Sequence, residues 1–138
     1  MVRVTMTAKQ FRLVGSAVIA TCTFWVGRRA STEPVQGLIV RLAELEIDPA
    51  QIEDYKAALR EEIESSIRVE PGVLTLYAVS VKGHPDQIRL FETYRSSAAY
   101  QAHLESAHFK RYKARTQGMV RSLALVETEP ILLGGKPR

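Results

Sequence analysis

The sequence predicts an α+β domain, a ferredoxin-like β-α-β-β-α-β subunit covering residues 36–133. Three observations carry this prediction. A helical apolar stripe separates the first apolar run from the second. Two strand-like runs are joined by a short turn. A second helical stretch leads into a last apolar run. The 138 residues suit one domain, and 46% hydrophobic with 25% charged side chains excludes a disordered or collagen-like chain.

The elements follow in order. Leu38 to Ile47 is rich in Leu, Ile and Val and predicts a strand; its apolar parity shifts near Leu42, which needs a bulge or two partly buried faces. Asp48-Pro49-Ala50-Gln51 predicts a helix start, with Asp48 as cap, Pro49 at the first position and Gln51 closing a capping box. Ile52, Tyr55, Leu59, Ile63 and Ile67 then form one apolar stripe, and Pro71-Gly72 ends it. Val73 to Lys82 and Gln87 to Arg95 predict a hairpin across a turn at Gly83-His84-Pro85-Asp86. On the second of these strands Ile88, Leu90, Glu92 and Tyr94 share a face. Ser96 or Ser97 caps a second helix, Ser106 interrupts it, and a further piece runs from Ala107 to Gln117. Met119 to Glu129 is the closing strand, and residues 134–138 form a loose tail.

The strands are apolar on both faces, as in Thr75, Tyr77 and Val79 beside Leu74, Leu76 and Ala78. Helices on one side leave the other side to pack on a second sheet, most simply that of an identical subunit. A homodimer is therefore expected.

Residues 1–35 are set apart from this domain. They hold Arg3, Lys9, Arg12, Arg28 and Arg29 against Glu33 alone, so the net charge of +4 resides there and the rest balances. A folded nucleic-acid surface is not expected from such a distribution. Residues 13–27 carry no charge and follow basic residues, the pattern of a secretory signal or membrane anchor. At a helical rise they span only about 22 Å, short for a bilayer crossing. Arg28 and Arg29 oppose translocation, and no clean cleavage site follows. Export, anchoring through residues 13–27, and a misassigned start with a cytoplasmic protein all stay open. The single cysteine, Cys22, lies in this segment, so the domain has no thiol chemistry and the chain no internal disulfide.

Few residues in the domain carry chemistry. His103 and His108 are five apart, about 140° around a continuous helix, and only the break at Ser106 brings both toward one cavity. They read either as a general base with its partner or as a capping and surface pair. Glu92 stands on an apolar strand face, where it either serves a histidine or pairs with a base on a neighbouring strand. Tyr94 and Tyr77 either line a pocket or belong to the core. Lys110, Arg111, Lys113 and Arg115 read as a solvated face or as an attractor of anions. Three histidines without HxH or HExxH spacing give no metal site, and no phosphate loop, dinucleotide fingerprint or GxSxG is present.

Glu70-Pro-Gly-Val-Leu, Phe91-Glu92-Thr93-Tyr94 and Ala99-Tyr-Gln-Ala-His103-Leu-Glu-Ser-Ala-His108-Phe109, in this order, resemble the antibiotic biosynthesis monooxygenase family, in particular its small quinol monooxygenase-like members. The resemblance implies a homodimeric α/β-barrel. It implies oxygenation or oxidation of quinols and polyphenols with O₂ and no metal, flavin or haem, the substrate anion itself reducing O₂. On this reading His108 is the leading base or oxyanion donor, His103 and Glu92 support it, and Tyr94, Phe109 and Tyr77 line the pocket. Haem-degrading relatives depend on an Asn, Trp and His set; this chain has no Asn, and its only Trp is Trp25. A sugar-phosphate isomerase of the same family and a non-catalytic dimeric ligand-binding or stress protein are the remaining alternatives.

Overall fold

A computed structural model of the chain describes residues 3–7, 37–131 and 133. The strands are β1 (Arg3–Thr7), β2 (Ile39–Ile47), β3 (Val73–Val81), β4 (His84–Tyr94) and β5 (Val120–Thr128). The helices are α1 (Ile52–Val69), α2 (Ser97–Glu105) and α3 (Ala107–Thr116), with a 3-10 turn at Pro49–Gln51 before α1. The sheet order is β1-β5-β2-β4-β3, and every neighbouring pair is antiparallel. Strands β2 to β5 with their helices make the expected ferredoxin-like β-α-β-β-α-β unit.

Strand β1 differs from expectation. Residues 1–35 are expected outside the domain, yet Arg3–Thr7 pairs with Val126–Ser122 at the free edge of β5. An unpaired strand edge presents a row of amide and carbonyl groups that such a segment satisfies. The charge-free run 13–27, Cys22 and the tail 134–138 lie outside the described residues. Among the described residues no helix is long and apolar enough to cross a membrane.

The core lies between the sheet and the helices. Ala43, Leu45 and Ile47 of β2, Ile88 of β4, and Val120 and Leu123 at β5 pack on Tyr55 and Leu59 of α1. The parity shift in β2 reflects two buried faces, since both Val40 and Ala43 are buried. The irregularity falls at Glu46/Ile47, not at Leu42. Asp48 caps as expected, its Oδ1 accepting from the Ala50 amide at 3.0 Å. Gln51 closes no capping box; its Nε2 points to the Gly118 carbonyl at 3.5 Å.

The hairpin turn is tighter than expected. Lys82-Gly83 makes the whole turn, Gly83 takes φ +82°, and His84, Pro85 and Asp86 join β4. The register shifts between Ser80 and Val81, and this bulge accommodates Pro85, which has no amide to give a ladder. Ser96 caps α2 through the Ala99 amide, and Ser106 separates α2 from α3 with extended backbone (ψ 148°).

Candidate functional site

The break at Ser106 positions the site. Its Oγ accepts from the Phe109 amide at 3.3 Å and so starts α3 in a new direction. The two histidines then converge on one carboxylate. Glu70 Oε1 lies 2.9 Å from His103 Nδ1 and 2.6 Å from His108 Nε2. Burial raises the Glu70 pKa, but the hydrogen bonds from both imidazoles outweigh it and hold the carboxyl below its usual range.

The two imidazoles face different spaces. His103 is buried, with its ring 4.6 Å from Phe109 and 5.3 Å from Tyr94. It lines an apolar cavity of about 100 Å³ with Ala43, Leu90, Tyr100, Leu104, Leu123 and Leu125. Glu92, Tyr94 and Phe109 line the same cavity. His108 does not. It lines an outer cleft of about 240 Å³ between α1 and α3, with Glu62, Arg111 and Arg115. Sequence reasoning gives His108 the leading role in the pocket; the structure puts His103 at the cavity wall and His108 behind Glu70.

Glu92 sits on β4 opposite Arg41 and accepts from the Tyr94 hydroxyl at 2.9 Å. Burial among apolar side chains pushes the Glu92 carboxyl up, despite that hydrogen bond, and favours its neutral form. Tyr94 is fully buried, edge-on to Tyr100 at 5.1 Å. Burial raises the pKa of its hydroxyl. Tyr77 does not line this cavity but borders a smaller one of about 30 Å³ with Glu92, His103 and Phe109. It pairs with Phe91 on the face away from the helices and is 55% exposed. Side chains alternate along β3, and the neighbour Leu76, paired with Glu92, is the one that faces inward.

Several members of the site were not singled out from the sequence. Glu70 stands at the end of α1 just before Pro71-Gly72, a position that marks a helix stop rather than a ligand. Glu62 and Ser66 are buried and continue the spacing of Tyr55, Ala58 and Leu59, so polar residues in that register were the available signal. The Ser66 hydroxyl donates to Glu62 Oε1 at 2.7 Å, and burial pushes the Glu62 carboxyl up. His103 Nε2 lies 3.7 Å from the same oxygen. The Tyr112 hydroxyl meets that of Tyr55 at 2.7 Å, and burial raises Tyr55 to about 12.

Glu62, His103 and His108 each bring one possible ligand atom within 4.8 Å of the others. Glu70 Oε1 also stands within hydrogen-bond distance of both imidazoles, at 2.6 and 2.9 Å. The arrangement can accept a proton at His103 beside an apolar chamber and can offer a protonated carboxyl at Glu92.

Residues 38–115 match the family described as antibiotic biosynthesis monooxygenase. The chain belongs to the antibiotic biosynthesis monooxygenase family. A Bacteroides thetaiotaomicron protein, provisionally named an antibiotic biosynthesis monooxygenase, is 46% identical, with a TM-score of 0.70 over 73% of this chain and 96% of that one. A Nitrosomonas europaea protein given the same provisional name is 23% identical, with a TM-score of 0.65 over 68% of this chain and 99% of that one. A Mycobacterium tuberculosis protein is 23% identical, with a TM-score of 0.65 over 72% of this chain and all of its own. The last two show the shared fold. No curated protein matches the chain. Of the residues in the three sequence motifs, Glu92, Tyr94, Tyr100, His103, Leu104 and Phe109 line the cavity, and Glu70 holds His103 from behind it.

Proposed function

We propose that this family member is a monooxygenase of electron-rich phenols, quinols and polyphenols whose substrate anion reduces O₂ directly, without flavin, haem or metal. The observation that supports the reading is an apolar chamber with a buried, carboxylate-held imidazole in its wall. Its volume of about 100 Å³ is on the scale of a single aromatic ring.

His103 donates Nδ1–H to Glu70, which leaves Nε2 to take the substrate's hydroxyl proton. The phenolate is electron-rich and gives electrons to O₂. A phenol with an open ring position plus O₂ yields a quinone plus water: one oxygen atom becomes the new carbonyl and the other leaves as water. Neutral Glu92 supplies an O–H donor for the developing oxyanion. Leu90, Leu104, Phe109 and Leu125 keep water from the reacting ring. His108 acts from outside the chamber, fixing the Glu70 carboxylate that orients His103. A second copy of the chain is proposed on the face that carries Tyr77, Val79 and Phe91.

The test is oxygen uptake by chelator-treated protein with reduced naphthoquinones and polyphenols, beside His103→Ala. Uptake above the autoxidation blank is expected, falling by about 10²–10⁴-fold in the variant. Activity that needs added metal would sink the cofactor-free mechanism. Ligand binding with no uptake would turn the assignment to a binding protein.

A further inference from the structure

Glu62, His103 and His108 come from three different helices, α1, α2 and α3, and no spacing in the sequence announces them as a set. The break at Ser106 brings the two histidines together. Helix α1 delivers Glu62 from the face that also buries Tyr55, Ala58 and Ser66. One possible ligand atom of each residue lies within 4.8 Å of the other two. Glu62 is 6% exposed and His103 3%, so two of the three are withdrawn from water.

We infer that Glu62, His103 and His108 form a binding site for one divalent transition-metal ion, with Zn²⁺ as the best match. The site goes beyond the proposed function, which uses no metal, and the binding does not depend on that reading.

The distance of 3.7 Å from Glu62 Oε1 to His103 Nε2 is too long for a hydrogen bond. It is close to the roughly 3.4 Å that separates two ligand atoms each about 2.1 Å from one tetrahedral ion. His108 lines the outer cleft, which gives an ion its way in and the imidazole room to rotate onto it. The surroundings hold the ligands in place. Glu70 accepts Nδ1–H of His103 at 2.9 Å, which leaves the Nε2 lone pair for the ion. A carboxylate behind a ligating imidazole in this way fixes its tautomer and raises its basicity. The same Glu70 oxygen lies 2.6 Å from His108 Nε2, and the Ser66 hydroxyl orients the Glu62 carboxylate at 2.7 Å. Two imidazoles and one carboxylate suit Zn²⁺ better than Mg²⁺ or Ca²⁺, which favour oxygen ligands. Three protein ligands leave a fourth position for water. Arg111 and Arg115 line the same cleft and oppose a cation there, but Arg115 is matched by Glu61 at 3.5 Å. A bound ion takes up the His103 lone pair that the proposed reaction needs, so metal and turnover exclude each other.

The test uses the full chain carrying Cys22→Ser, which removes its only thiol as a competing ligand. Zn²⁺ is titrated against a chromogenic chelator. Co²⁺ is titrated while its visible absorption is followed, which is strong for a four-coordinate ion and weak for the hydrated one. One Zn²⁺ per chain is expected. Glu62→Gln keeps the shape of the side chain and an acceptor for Ser66, and His108→Ala leaves the cavity wall alone. Each should lose about tenfold or more in affinity, at least what loss of an outer partner costs. His84→Ala, at the exposed start of β4, should bind like the parent. Zn²⁺ should raise the Tm of the parent more than that of Glu62→Gln, with matching far-ultraviolet dichroism to show that the variant is folded. No stoichiometric binding, or equal affinity in the parent, Glu62→Gln and His108→Ala, would overturn the inference and leave the proposed function standing. Oxygen uptake should fall as the site fills. Full uptake by the zinc-saturated chain would instead overturn the base role given to His103 and leave the metal site standing.

Discussion

Glu92 is an acid that the fold shields from water in large part. Its carboxyl lies above the ordinary value of 4.5 because burial penalises the charged form. The folded protein therefore holds that proton more tightly than the unfolded chain. Stability from this group is complete below pH 4.5 and declines as pH rises through the folded value. Glu92→Gln keeps an acceptor for the Tyr94 hydroxyl and has no proton to lose. Urea unfolding from pH 4 upward should show the variant gaining on the wild type with rising pH, by at most about 1.4 kcal/mol per pH unit. A stability difference flat in pH would mean that Glu92 ionises as readily in the fold as in water. Glu92 was legible as unusual because an acid broke an apolar strand face. The division between His103 and His108 was not. Sequence gives their spacing and the break at Ser106, but which imidazole meets the chamber depends on where Glu70, more than thirty residues away, pins them.

At the scale of elements, Glu70-Pro71-Gly72 joins the site to the packing of α2. Glu70 is the last residue tied to α1, its amide donating to the Ser66 carbonyl at 2.9 Å, and Pro71 prevents a further turn. Gly72 lies under α2: a Cβ built there would stand 2.5 Å from the Ala99 Cβ. Its carbonyl also accepts from the Arg95 amide at 2.8 Å, at the end of β4. Gly72→Ala should therefore push α2 off the hairpin and lower stability by about 1–3 kcal/mol. Because α2 carries His103, it should also lengthen the contact to Glu70 and reduce any His103-dependent activity. Ala99→Gly in the same chain should recover most of the loss, and thermal unfolding of the single and double variants checks this. Recovery absent from the double variant would place the strain in the backbone at Gly72 rather than in this contact. The helix caps and breaks were legible because each depends on neighbours in sequence: Asp48, Ser96 and Ser106 all act within three residues. The start of β4 was not. Pro and Asp ordinarily mark a turn, and only pairing across the hairpin draws His84 to Asp86 into the strand.

The whole molecule has two unlike sheet faces. The helices cover one. On the other, Tyr77, Val79 and Phe91 remain 37–59% exposed, with Tyr77 directly opposite Phe91. Large apolar side chains grouped in this way are the usual mark of an interface. The same two-sided apolar pattern was legible in the strands, whereas the edge strand Arg3–Thr7 was not, because charge set that segment apart while its pairing depends on the distant β5. The proposed dimer predicts a specific separation between folding and assembly. Tyr77→Lys puts a charge where the single chain is open to water, so the stability of an isolated subunit should change by less than about 0.5 kcal/mol. In a dimer joined through this face the same ammonium would be buried without a partner, and the dimer should weaken by about 10²-fold or more. Sedimentation over a concentration series should find the wild type dimeric and the variant monomeric, with the far-ultraviolet dichroism of the two alike. A wild type that sediments as a monomer throughout, or a variant that dimerises as tightly, would remove the sheet face from the assembly. The cavity lies on the opposite side of the sheet, under the helices. A folded monomeric Tyr77→Lys should therefore still bind an aromatic ligand, and its turnover would show whether the subunit works alone.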